Sequence, residues 1–196
     1  MTPPPAYGLI INGDIIPVPG VNVENWHTAA WARVNARDCK PRRERHVRSI
    51  IQHTTKGIWP QQIMHGHIAK DRIERVADFW NGDPKQSAAH IVVGGGRAVC
   101  LVDLLNVEAF HATNANPYSV GIETYQEAGG TIYADDIAIT VAVTRAICEA
   151  MSIAWQIPHK YVGPLARWKT APWTMYGVFG HRDQTDRRGQ GDPGDA

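Results

Sequence analysis

Ser49-Ile50-Ile51-Gln52-His53-Thr54-Thr55-Lys56-Gly57 is the stretch from which the fold can be read. From Val47 it is apolar and then turns abruptly polar, the pattern of a short buried strand delivered into a turn. The polar end begins with a histidine. An imidazole at the rim of a sheet suits a metal ligand or a catalytic base. It suits equally a packed histidine with local hydrogen bonds, and this stretch alone leaves both readings open.

Working outward, several other runs have strand length. Ser87-Ala88-Ala89-His90-Ile91-Val92-Val93 and Ala98-Val99-Cys100-Leu101-Val102 flank Gly94-Gly95-Gly96 and predict an antiparallel hairpin. Three glycines between two strands, with no helix following, do not suit a dinucleotide loop. Tyr118-Ser119-Val120-Gly121-Ile122-Glu123-Thr124-Tyr125 predicts a strand with Glu123 late in it, where a carboxylate is costly unless paired or used. Tyr176-Gly177-Val178-Phe179-Gly180-His181 predicts a last strand, again ending in histidine. Residues 8–18 predict two short strands around an Asn12-Gly13 turn, and 104–109 a short turn or helix.

Helical spacing appears twice. Over 68–80 it sets Ile73, Val76, Ala77 and Trp80 on one face. Over 133–155 it lines up Ile137, Val141, Thr144, Cys148, Met151 and Trp155 as a core stripe, with Asp135 and Asp136 suited to the first turn. These elements predict a single α/β domain with a central mixed β-sheet flanked by helices. Residues 47–196 form the expected domain, and the Pro-rich 1–46 an N-terminal extension packed on or beside the core. The polar turn signals of Gly191-Asp192-Pro193-Gly194 read as a cut boundary, with another module expected beyond.

Composition excludes several function classes. A net charge of +1 supplies no global field toward nucleic acid or lipid. Arg42, Arg43, Arg45, His46 and Arg48 form a basic cluster too short to imply DNA binding; its plain reading is a solvated edge, and its alternative is contact with an anionic polymer or with acidic residues of the same chain. Three cysteines are too few and too scattered for a disulfide framework, and Cys100 and Cys148 read as small buried hydrophobes. No stretch approaches the roughly 20 apolar residues of a membrane span. Met1-Thr2-Pro3-Pro4-Pro5 does not open a signal peptide, so synthesis in the cytoplasm is expected.

Two predicted strands end in His53 and His181, and Asp192 follows in a Gly-Asp-Pro-Gly turn. Two imidazoles and a carboxylate form a set suited to catalytic zinc with one position left open for water. Their scattered spacing is not a compact zinc motif.

Taken in order, however, the pieces resemble a known family. Ile51-Gln52-His53-Thr54-Thr55, Ser87-Ala88-Ala89-His90-Ile91-Val92-Val93, Ala109-Phe110-His111-Ala112, Asn116-Pro117-Tyr118-Ser119-Val120-Gly121-Ile122-Glu123, Gly180-His181-Arg182-Asp183 and Asp192-Pro193-Gly194 are similar to segments of the zinc-dependent N-acetylmuramoyl-L-alanine amidases of type 2. The match runs over about 48–195. Phe110 stands where the family usually has Trp, and the details look most like endolysins of phages that infect mycobacteria.

The resemblance implies Zn2+ held by His53, His181 and Asp192, and Glu123 as general base. It implies hydrolysis of the amide between N-acetylmuramic acid and L-alanine in peptidoglycan, by a monomer that reaches the wall after release from the host. A non-catalytic peptidoglycan binder that kept the metal site is the rival. His111 and Trp59 are expected in the cleft. Many members carry Lys two residues before the last ligand, where this chain has Gln190, and phage members carry Tyr where it has Ala89. Gln190 can donate a hydrogen bond but no charge, and Lys56, Arg182, Arg187 and Arg188 are cations that could substitute.

Overall fold

The computed structural model describes residues 6–29, 31–32, 39–43, 46–55, 73–74, 76, 87–127, 130–157 and 176–180. In chain order its strands are β1 (Leu9–Ile11), β2 (Asp14–Ile16), β3 (Val23–Asn25), β4 (Cys39–Pro41), β5 (Ser49–Thr54), β6 (Ile91–Gly94), β7 (Arg97–Cys100), β8 (Val107–Ala109), β9 (Ser119–Thr124) and β10 (Gly177–Gly180). One long helix, α1 (Ala134–Met151), follows β9, and a 3-10 turn, Thr113–Tyr118, precedes it.

The main sheet has the order β10-β5-β9-β6-β7-β3. Strands β10, β5, β9 and β6 run parallel, β6 and β7 form an antiparallel hairpin, and β3 joins β7 in parallel. This is the mixed sheet expected from the sequence. Strands β5 and β9 sit inside it and are buried along most of their length, which is why both read as nearly continuous apolar runs.

Each face of the sheet has its own core. On one, Ile50, Ile91, Val93, Val120 and Ile122 pack with Val143, Ala146, Ile147 and Cys148 of α1. On the other, Val92, Val99 and Leu101 meet Ile73, Val76 and Ala89, while Ile51 and Phe179 meet Ala112 and Ala115. Of the helix expected over 68–80, the structure describes Ile73, Glu74 and Val76. All three are helical, and Ile73 and Val76 are buried.

The long helix differs from expectation in phase and length. Ile137 and Val141 are 49% exposed and Trp155 is 54% exposed, so they are not core. The buried face is Asp136, Val143, Thr144, Ala146, Ile147 and Cys148. Polar pairing sets this phase. The Thr144 hydroxyl accepts from Gln52 Nε2 at 2.9 Å, and Thr140 and Thr124 hydroxyls pair at 3.0 Å. Asp136 turns inward to accept the backbone N–H groups of Gly95 and Gly96 in the β6–β7 turn. The helix stops at Ser152, whose left-handed φ of 55° lets the Ile153 N–H reach back to Cys148 O.

The N-terminal hairpin forms as expected. Asn12 and Gly13 have φ of 54° and 85°, the positive values that a tight hairpin turn demands. Its tether is Asp103, a buried carboxylate that accepts from the backbone N–H of Asn12, Gly13, Leu105 and Asn106. Asp103→Ala is expected to lower stability by about 2–3 kcal/mol, read as a fall in urea midpoint at unchanged slope. An unmoved midpoint would show that the tether contributes little.

Over 104–109 the structure corrects the expected turn or helix. Asp103 caps a turn at 104–106, and Val107–Ala109 then becomes a strand by pairing antiparallel with β4. The partner lies far away in the chain, so local spacing carried no sign of it. The thiols behave as buried hydrophobes: burial pushes Cys100 up to about 12 and Cys148 up to about 11. Among the described residues no helix is long and apolar enough to cross a membrane.

Candidate active site

Strand alternation sorts the side chains of β5 and β9 to two faces. The parallel register pairs Ser49 with Ser119, Ile51 with Gly121 and His53 with Glu123. One face therefore carries Ser, Ile, His on β5 beside Ser, Gly, Glu on β9. His53 and Glu123 are neighbours across a strand spacing of about 4.8 Å, near the carboxyl ends of both strands. His53 is buried, with 2% exposed, and Glu123 is partly exposed. On the other flank of β5, Gly180 of β10 is in register with Gln52.

His111 approaches this face from the segment that follows β8. Its backbone N–H and that of Ala112 donate to Asn116 Oδ1, which fixes the approach. Its ring lies against the backbone of β9 where Gly121 has no side chain. A Cβ there would stand 2.5 Å from His111 Cγ and 2.6 Å from Nδ1. Gly121→Ala is thus expected to push the ring away and cost about 1–3 kcal/mol. The displaced His111 ring resonances and a lower denaturation midpoint are the readouts; an unshifted ring would contradict the packing described.

Three histidines form a row. His111 makes edge contacts with His53 and His90, at ring-centroid separations of 5.2 and 5.4 Å. His53 Nε2 lies 3.1 Å from His111 Nδ1, and His111 Nε2 lies 3.2 Å from Ser119 Oγ. The Ser119 hydroxyl donates to Ala115 O at 2.8 Å.

His90 is a satisfied core histidine. Its Nδ1 accepts the Gly121 N–H at 3.0 Å, and its Nε2 lies 3.1 Å from Val107 O and 2.9 Å from Arg42 Nη2. Burial first, and the Arg42 guanidinium second, hold it well below the ordinary imidazole value, hence neutral.

Arg42 departs from the solvated edge expected of its cluster. It is 6% exposed, and its guanidinium donates to Asn116 O, Val107 O and Ser119 O at 2.8–3.0 Å. Burial lowers its pKa to about 10, against the attraction of Glu108 and Asp103, so it stays charged at neutral pH. Arg43 and His46 are exposed, while Arg48 is half-buried with its guanidinium over the rings of Tyr118 and Tyr176. Nothing in the sequence pattern singled out Arg42 or Ser119 as supports of this site.

Of the residues singled out from sequence, His53, His111 and Glu123 come together here. Lys56, Trp59, His181, Gln190 and Asp192 lie outside the described residues. Among the described residues no three His, Cys, Asp or Glu side chains form a metal-sized group.

The profile of the N-acetylmuramoyl-L-alanine amidases matches residues 27–195. The chain belongs to that family. By that membership it is an amide hydrolase. No curated protein matches the chain. Among solved structures, it is similar to a point mutant of PlyL, at 14% identity with 87% of each chain covered and a TM-score of 0.56. A selenomethionine derivative of AmpD matches at 17% identity, covering 83% of this chain and 87% of that one, with a TM-score of 0.53. PGRP-Hd from Alvinella pompejana matches at 12% identity, covering 69% and 83%, with a TM-score of 0.52. At these identities the amidase shares a fold with them.

Proposed function

We propose that this amidase hydrolyses the bond between the lactyl group of N-acetylmuramic acid and L-alanine in peptidoglycan, using Zn2+ held by His53, His181 and Asp192. The observation that carries the reading is the register of the parallel strands, which sets His53 beside Glu123 at one sheet end. In the sequence His181 directly follows Gly180, the register partner of Gln52. The donor chemistry fits: two imidazoles and a carboxylate make a zinc set with one open position. A bound zinc would lower the pKa of a water and polarise the scissile carbonyl.

Glu123 is the proposed general base. It takes a proton from the attacking water and returns it to the leaving amine of L-alanine. Gln190 offers an N–H donor to the scissile carbonyl, Lys56 the cation that Gln190 lacks, and Trp59 an aromatic wall for sugar or peptide. Residues 1–46 are read as an extension packed on or beside the catalytic domain, from which β3 adds an edge strand to the main sheet. The sequence resemblance extends the reading to a monomeric endolysin acting on the walls of a phage host.

Digestion of purified peptidoglycan, followed by mass analysis, tests this. The expected products are stem peptides with a new L-alanine amino terminus and glycans ending in a free lactyl carboxylate. Chelator abolishes their release and added zinc restores it. Cleavage at another bond, undiminished cleavage in chelator, or binding without cleavage would each overturn the proposal.

A further inference from the structure

We propose that Asn12 is a site of spontaneous amide-to-acid conversion, that Asp103 gates the reaction, and that the product weakens the tether that gates it. The proposal is independent of the metal reading.

The chain has two Asn-Gly steps, Asn12-Gly13 and Asn81-Gly82, the second outside the described residues. Such a step is open to this chemistry because glycine puts no side chain between its own nitrogen and the preceding amide. The Gly13 nitrogen loses its proton to solvent base and attacks Asn12 Cγ. The new N–Cγ bond closes a five-membered succinimide as the Cγ–Nδ2 bond breaks and ammonia leaves. Water then opens the ring at either carbonyl. One opening gives aspartate; the other gives isoaspartate, whose main chain runs through the former side chain and is one carbon longer.

The fold leaves Asn12 reachable and guards the nucleophile. Asn12 is exposed at the hairpin tip, where it and Gly13 have φ of 54° and 85°. The Gly13 N–H, which must give up its proton, donates to Asp103 Oδ2 at 2.7 Å. The Asn12 N–H donates to Oδ1 at 3.1 Å. Removing the Gly13 proton there would set an anionic nitrogen against a carboxylate, two like charges at hydrogen-bond distance. Attack therefore requires the tip to lift from Asp103 first, a local opening rather than global unfolding. Asp103 is held from its other side by the Leu105 and Asn106 N–H groups and by Asn106 Nδ2, so it keeps its place when the tip lifts.

Conversion changes the balance of that opening. Either product carries a carboxylate at position 12, on the residue whose N–H approaches Asp103. Isoaspartate also adds a main-chain atom to a tight turn whose strands are in register from Ile11 with Asp14 to Leu9 with Ile16. Both effects oppose re-docking. Leu9 and Ile10 are buried in the core, and Ile10 O accepts the Leu104 N–H, so the strand stays anchored while its tip is released.

The test ages the full chain in mildly alkaline buffer. Peptide mapping by mass spectrometry separates the Asn12 and Asn81 segments, and isoaspartyl methyltransferase labels the isoaspartate. The native chain, the same chain in urea, Asp103→Ala and Asp103→Asn are compared. Conversion at Asn12 is expected to be roughly 10–100-fold faster in Asp103→Ala than in the native chain, the population factor for losing hydrogen bonds to a charged group. Asp103→Asn, which keeps the shape and removes the charge, should fall between. The converted chain should unfold at a lower urea concentration than fresh chain.

Equal rates at Asn12 in the native chain and in a folded Asp103 variant overturn the gate. An Asn12 that stays unconverted even in urea overturns the site, and an unmoved midpoint in the converted chain overturns its effect on the tether. Amide hydrogen exchange decides the gate without any variant. Relative to the chain in urea, Gly13 exchange and Asn12 conversion should be slowed by the same factor, since both need the same opening; unequal factors overturn it.

Discussion

Arg42→Met is expected to remove about 3–5 kcal/mol of stability, the cost of removing a buried, hydrogen-bonded charge. Met replaces much of the volume but none of the donors. Asn116 O, Val107 O and Ser119 O would lose the guanidinium that they share, in a region with little access to water. Glu108, itself 3% exposed, would lose a nearby cation. Because whole domains hold only about 5–15 kcal/mol, this one change consumes a large part of the margin. Denaturant titration reads it as a sharp fall in midpoint at constant slope. Arg42→Lys should rescue little, since one ammonium cannot span carbonyls from three segments. A midpoint equal to that of the parent would mean that the guanidinium is replaceable.

Glu123→Gln carries the largest expected effect on rate. If Glu123 is the base, the amide keeps the shape and removes the proton acceptor, and turnover should fall about 10²–10⁴-fold. Zinc affinity should stay within a few-fold of the parent, because Glu123 is not among the proposed ligands. The informative pair of measurements is therefore zinc content and initial rate on the same preparation. Full activity in the zinc-loaded variant would refute the base assignment; loss of zinc would instead make Glu123 a part of the metal site.

Strands β5, β6, β7, β9 and β10 were legible because their signals are local, whereas β3 lies in the segment read as an extension. Asn12-Gly13 and Gly94-Gly95-Gly96 mark turns by themselves, and Ile50-Ile51 and Val120 to Ile122 mark strands buried on both faces. The helix phase was not legible by hydrophobicity. Ile137 and Val141 are as apolar as Val143 and Ile147, and hydroxyl pairing through Thr140 and Thr144 decides which side turns inward. His53 and Glu123 stood out as polar residues late in apolar runs. Arg42 was hidden because its environment is made of carbonyls from distant segments, and charge counting senses other charges only. Ser119 was hidden because a small hydroxyl on a strand has no pattern of its own until His111 is seen above Gly121.

The short third strand has a consequence for how the protein can be trimmed. β3 is hydrogen-bonded along β7 and forms the last strand on that side of the main sheet. Deleting residues 1–46 would leave the outer row of β7 amide and carbonyl groups open to any passing extended chain, the usual starting point for edge-to-edge aggregation. The leading segment thus shields a sticky flank, and a shortened protein that retains every proposed ligand would be at risk of leaving solution before it met its substrate.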